Sequence, residues 1–185
     1  DRRSPREMVI RVLGHSVAGQ RGTEREAMAR DVSKRVGICG IYCGTCPTYL
    51  AKRLDDAEEM DKIHNETGVP VDQIRCDGCL SDTVFPTCKD CIHGFRHCAE
   101  EKKVTWCFQC DAFPCQRLRD FRDIHIVNGI SHHEHVIEDL KFMREKGVEA
   151  WVAEQETKGR CPQCETSIYW HDRECPNCHA LVKKG

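Results

Sequence analysis

Six pairs of cysteines separated by two residues, Cys43/Cys46, Cys76/Cys79, Cys88/Cys91, Cys107/Cys110, Cys161/Cys164 and Cys175/Cys178, constrain this chain more than any other feature. Disulfides place no premium on that spacing. A metal ion does, because one short turn delivers both thiolates to the same centre. The chain has 15 cysteines in 185 residues, whereas Leu, Ile, Val and Phe together number only 38. So small an aliphatic and Phe content sits near the level at which burial alone stops sustaining a fold. Thiolate-bound ions are therefore expected to supply much of the stabilisation, roughly 10 kcal/mol or more for a structural zinc in favourable cases.

The clearest constellation is Cys161-Pro-Gln-Cys164 followed by Cys175-Pro-Asn-Cys178. Two such knuckles close a tetrahedron of four thiolates and leave no open coordination position. Structural zinc is the expected occupant, and rubredoxin-like mononuclear iron is its competitor. The central segment packs eight cysteines into positions 76–115. Read sequentially, Cys76, Cys79, Cys88 and Cys91 form one four-thiolate site and Cys98, Cys107, Cys110 and Cys115 another. Interleaved ligation satisfies the same valences, and either zinc or an iron-sulfur cluster accepts such tetrads. The remaining Cys39, Cys43 and Cys46 can hold three irons of a [4Fe-4S] cluster, bind zinc with a fourth protein ligand, or present a reactive thiol. Their spacing also occurs in radical S-adenosylmethionine enzymes, but the rest of that barrel does not fit in this length.

Charge is nearly balanced, with 28 Lys and Arg against 30 Asp and Glu, and each zinc bound by four thiolates adds about −2. A general nucleic-acid-binding role is disfavoured accordingly. The remaining form of that role places Tyr169, Trp170, His171 and Arg173 on a loop between the knuckles as a stacking surface. The longest uncharged stretch, 36–51, is too short to span a membrane and carries three cysteines. No signal-peptide pattern is readable, so a reducing, cytoplasmic setting is expected.

Four segments are expected. Residues 1–36 hold nine basic and five acidic side chains and no cysteine, and read as an appended arm in which Met8, Val9, Val12, Leu13 and Val17 form a short helical stripe. Residues 37–130 are the cysteine-rich metal-binding domain. There the pattern predicts a helix from Pro47 to Ile63, putting Cys43 and Cys46 at a helix N-terminus that favours thiolate. Further short helices are expected over 93–102 and after Pro114. Residues 131–159 are a helical spacer, opened by Ser131-His132-His133-Glu134 read as a capping box, with helices parted at Gly147. Residues 160–185 are a zinc ribbon, with a strand over 166–170. His132, His133 and His135 read as solvent-facing residues of a first helical turn. His64, His93 and His97 are the candidates for a fourth ligand to the triplet. No phosphate loop, dinucleotide fingerprint, nucleophile elbow or paired catalytic carboxylates can be read.

From Ile38 onward the chain resembles an uncharacterised cysteine-rich prokaryotic family, a domain of unknown function common in anaerobic bacteria and archaea. The shared cues are CGIYCGTCP, CDGC, the CFQCDAFPC segment, and SHHEHVIEDLKFMREKGVEAWVAEQ leading into the CPxC ribbon. The resemblance implies a small metal-binding protein of the cytoplasm and carries over no catalytic residue. The expected fold is a small metal-organised, α-rich (α+β) protein comprising a cysteine-rich helical domain, a helical hairpin and a C-terminal zinc ribbon. The expected function is noncatalytic: a multi-site metal-binding module, docking on another protein and not on a membrane. The alternative is an iron-sulfur protein using Cys39, Cys43 and Cys46 or the central tetrads.

Overall fold

The computed structural model describes residues 32–89, 91–127 and 129–182. The apolar stripe expected at Met8 to Val17 lies outside the described residues, as do most of the arm and the last three residues of the ribbon segment. The described residues include the α-helices α1 (Pro47–Leu54), α2 (Ala57–Thr67), α3 (Pro86–Lys89), α4 (Phe95–Lys102), α5 (Gln116–Arg122), α6 (Val136–Lys146) and α7 (Val148–Lys158), and short 3-10 turns at Cys43–Thr45, Val71–Gln73 and Cys107–Gln109. Strands β1 (Ile126–Val127) and β2 (Ile130–Ser131) pair antiparallel, Ile126 opposite Ser131 and Val127 opposite Ile130.

The single helix expected from Pro47 to Ile63 is two. Pro47 occupies the first turn of α1, as expected. Asp55 then turns left-handed at φ 53°, and Asp56 starts the next helix by accepting the Glu59 amide on Oδ1 at 3.0 Å. Periodicity carries the apolar stripe across this break, but the local carboxylate-to-amide bond outcompetes continuation. Gly68, at φ 72°, closes α2, its amide bonding to the His64 carbonyl.

The capping box expected at Ser131 does not form either. Ser131 belongs to β2, and α6 begins at Val136 behind His135 with no side-chain cap. The predicted break at Gly147 is present, at φ 92°. Strand pairing between the knuckles is reduced to isolated bridges, Arg160 to Ser167 and Glu174 to Leu181.

The main core joins segments that the sequence separates. Phe95, Leu118 and Phe121 from the cysteine-rich region pack with Leu140, Met143 and Trp151 from α6 and α7. The Trp151 indole is buried and donates Nε1–H to Asp139 at 2.9 Å. The helices at 131–159 are thus part of the same core as the cysteine-rich segment, which includes Val36 and Ile38. A smaller core under α2 is built from Ala51, Met60, Ile63, Val69, Ile74 and Phe85. Close backbone approach fixes one turn between them: at Gly78, φ 103°, an added Cβ would lie 1.7 Å from the Lys34 carbonyl oxygen.

Candidate metal centre

The C-terminal cysteines sit on two copies of one local structure, offset by 14 residues. The amide of Cys161 donates to Thr166 O at 2.8 Å, and that of Cys175 to Ala180 O at 2.9 Å. Glu165 and His179, each following the second cysteine of its knuckle, share φ 58°. The two isolated bridges obey the same offset. Each turn aims two sulfurs inward, so that Cys161, Cys164, Cys175 and Cys178 place their thiols within 4.8 Å of one another. Cys161 and Cys178 are 3.5 Å apart, as are Cys164 and Cys175. Sulfurs bound to one tetrahedral zinc stand about 3.8 Å apart, whereas a disulfide needs about 2.05 Å. All 15 cysteines are free thiols.

Local donors favour the charged form at two of these thiols, whereas Cys178, despite the Ala180 amide, is pushed up to about 12 with Cys164 and Cys161 beside it. The Gln163 and Cys164 amides hold the Cys161 thiol below its ordinary value. The Thr166 hydroxyl, then its amide, bring Cys164 down to about 5. Cys161 and Cys175 are buried beneath Ile168. This donor set and spacing can hold a metal ion.

The eleven cysteines between residues 39 and 115 fall into neighbourhoods that the order of the sequence does not give. Burial, then the Cys46, Cys79 and Cys76 thiols, push Cys43 well above its ordinary range. Cys46 is raised by burial and also faces Cys76. Cys88 is exposed on one side, yet desolvation of its thiol, then Cys46 and Cys76, raise it to about 12. Cys43, Cys46, Cys76, Cys79 and Cys88 are therefore neighbours. Burial raises Cys39 strongly, as do Cys79, Cys107 and Cys91, which puts Cys39 with Cys79 and Cys91. Desolvation takes Cys107 to about 12, and its principal thiol neighbours are Cys115, Cys98 and Cys110. Those four cysteines line one small apolar pocket between α4 and α5, with Phe95, Phe113 and Leu118 among its walls.

Of the two sequential tetrads, the second lines one pocket. Members of the first also neighbour the Cys39/Cys43/Cys46 triplet, with Cys79 close to Cys39, Cys43 and Cys88 alike. At the start of α1 the helix dipole does not prevail, because desolvation and neighbouring sulfurs raise both Cys43 and Cys46. Thiols packed like this stay protonated until a cation offsets the accumulating charge.

Residues 35–120 match the family described as Protein of unknown function (DUF3795). The similarity is confined to this segment. No curated protein and no solved structure matches the chain. The DUF3795 match takes in all eleven of those cysteines and ends before α6, so the helical pair and the C-terminal knuckles lie outside it. The resemblance read from the sequence extended through both.

Among the described residues, one other group brings three ligand atoms within 4.8 Å: His125, His132 and His133. His132 and His133 were expected to face solvent from a helix. His133 is instead 4% exposed, with Phe121 stacked on its ring, and His132 is half-buried under Trp170. His125 was not singled out. The signal that marks it is the Asn-Gly step at 128–129 between Ile126-Val127 and Ile130, a hairpin pattern with histidines at both outer ends. The aromatic residues expected to stack on bases, Tyr169 and Trp170, are both buried. No helix among the described residues is long and apolar enough to cross a membrane.

Proposed function

We propose that this protein is a noncatalytic metal-binding module of a reducing, cytoplasmic compartment, in which thiolate-held ions organise a scaffold that docks on another protein. The carrying observation is the four-cysteine site built from two knuckles with matching backbone bonds 14 residues apart. Zinc suits its four thiolates and short sulfur separations, and the closed coordination leaves no position for substrate. Two apolar side chains, Leu181 on the second knuckle and Ile92 beside Cys91, are 77% and 86% exposed and offer a partner something to cover. The test is elemental analysis of protein purified without oxygen. We expect one zinc per chain to disappear in Cys161→Ser; full zinc retention in that variant overturns the assignment.

A second reading assigns an iron-sulfur cluster to Cys98, Cys107, Cys110 and Cys115. It is favoured by one contrast. Their thiols line one apolar cavity but do not gather within 4.8 Å as the C-terminal four do, and a four-iron cluster with one thiolate per iron spreads its ligands wider than a single ion does. Colour decides. Brown protein containing iron and acid-labile sulfide, lost in Cys107→Ser, supports the cluster; colourless protein containing only zinc refutes it.

A further inference from the structure

We propose that His125, His132 and His133 form a second kind of metal site, a three-imidazole centre for a divalent transition ion of the zinc class with one coordination position open to solvent. The three ligand atoms lie within 4.8 Å of one another, and the site uses none of the thiolates. It stands whether or not the cysteine assignments do.

The hairpin creates the juxtaposition. The pairing of Ile126 with Ser131 puts His125 opposite His132 at the next position outward, and the His132 amide donates to His125 O at 3.1 Å. The side chains follow the backbone: His125 Nδ1 and His132 Nδ1 are 3.3 Å apart. Two nitrogens bound tetrahedrally to zinc at about 2.0–2.1 Å stand about 3.3 Å from each other. A single shared proton also satisfies that pair, so the third ring carries weight. His133 Nδ1 lies 3.0 Å from Phe121 O. A carbonyl can only accept, so Nδ1 holds the proton and Nε2 keeps its lone pair. Metal-ligating histidines are oriented in this way by a carbonyl or carboxylate on the opposite ring nitrogen.

The rings are clamped from both sides. Phe121 stacks on His133 with centroids 3.8 Å apart and planes at 19°, and Trp170 stacks on His132 at 4.2 Å and 10°. Trp170 also meets His125 edge-on at 5.1 Å. Aromatic walls that fix ring orientation before binding reduce the ordering cost of capture. His125 itself is exposed, which gives an ion a route in and leaves room for water or an anionic ligand. Three neutral nitrogens and an open position suit zinc and its spectroscopic substitute Co2+ better than Mg2+ or Ca2+, which prefer oxygen.

The test uses full-length protein as isolated, with its cysteine sites filled, titrated with Co2+ alone. We expect one additional ion per chain, with visible d–d absorption and no growth of thiolate-to-cobalt charge transfer in the near ultraviolet. His125→Asn, chosen because Asn tolerates the positive φ of 67° found there, should weaken this binding at least tenfold with unchanged circular dichroism. His135→Asn, exposed and outside the three-ring group, should leave it unaltered. The proposal is overturned if no additional ion binds, if the ion enters with thiolate charge transfer, or if His125→Asn binds as tightly as the parent.

Discussion

The Tyr169 hydroxyl donates to Asp56 Oδ2 at 2.7 Å, joining the first knuckle's loop to the start of α2 across 113 positions of sequence. The other oxygen of the same carboxylate caps that helix. One side chain thus stabilises a local turn and a long-range contact together. Tyr169→Phe should lower stability by about 1.5–3 kcal/mol, the range for a hydrogen bond to a charged acceptor. Asp56→Ala should cost about 1 kcal/mol more, because it also removes the cap. Urea denaturation of the metal-loaded protein measures both, and a Tyr169→Phe midpoint equal to that of the parent would show the contact to be inert.

The same contact sets an alkaline limit. Burial, then the Asp56 carboxylate, raise the Tyr169 hydroxyl above the ordinary tyrosine value near 10. The folded state therefore holds this proton more tightly than the unfolded chain. The associated stability is fully present below about pH 10 and is lost as pH rises from there through the raised value. Burial also raises Tyr42, so absorbance titration of tyrosinate should show two late-ionising residues, of which the later disappears in Tyr169→Phe. Ionisation of all tyrosines together near pH 10 would contradict this.

Two glycines with positive φ should respond differently to alanine. Gly68 has open space around its missing Cβ, so Gly68→Ala should cost about 1 kcal/mol, from conformation alone. At Gly78 the new methyl would collide with the Lys34 carbonyl, so Gly78→Ala should cost at least about 3 kcal/mol or prevent folding. Thermal denaturation of the pair tests the order, and equal losses would place the 78 turn elsewhere.

Damage should be local at one end of the molecule and global in the middle. Cys161→Ser should expose amides of residues 160–182 to hydrogen exchange while α6 and α7 stay protected. In contrast, Cys107 packs against the main core and its amide bonds to Ile38 O at 2.9 Å. Cys107→Ser should lower protection throughout residues 36–152, and a chelator strong enough to strip all sites should unfold the chain. Identical exchange maps for the two variants would argue against this division.

The elements legible in the sequence were those decided by neighbours along the chain. Gly147 parts α6 from α7 because a glycine there adopts a positive φ, and Pro47 marks the start of α1 for an equally local reason. The four C-terminal cysteines could be grouped because few residues separate the knuckles. What stayed hidden depends on distant partners. Two-residue spacing makes Cys76 and Cys79 neighbours, but it does not say that both also come close to Cys43 and Cys88. His133 reads as polar and exposed until Phe121 is packed against it. Asp56 was the missed local cue, since Asp followed three residues later by Glu is a helix-start signature.

The convergence of Cys43 and Cys46 with Cys76 and Cys88 bears on the order in which the molecule can assemble. A chain emerging from the ribosome amino end first presents two of these thiols some 40 residues before the last of them appears. An ion bound by Cys43 and Cys46 would lack any ligand from Cys88 until that residue is free of the exit tunnel. The C-terminal knuckles suffer no such delay: 18 consecutive residues contain all four sulfurs, so that site can close soon after its first cysteine appears.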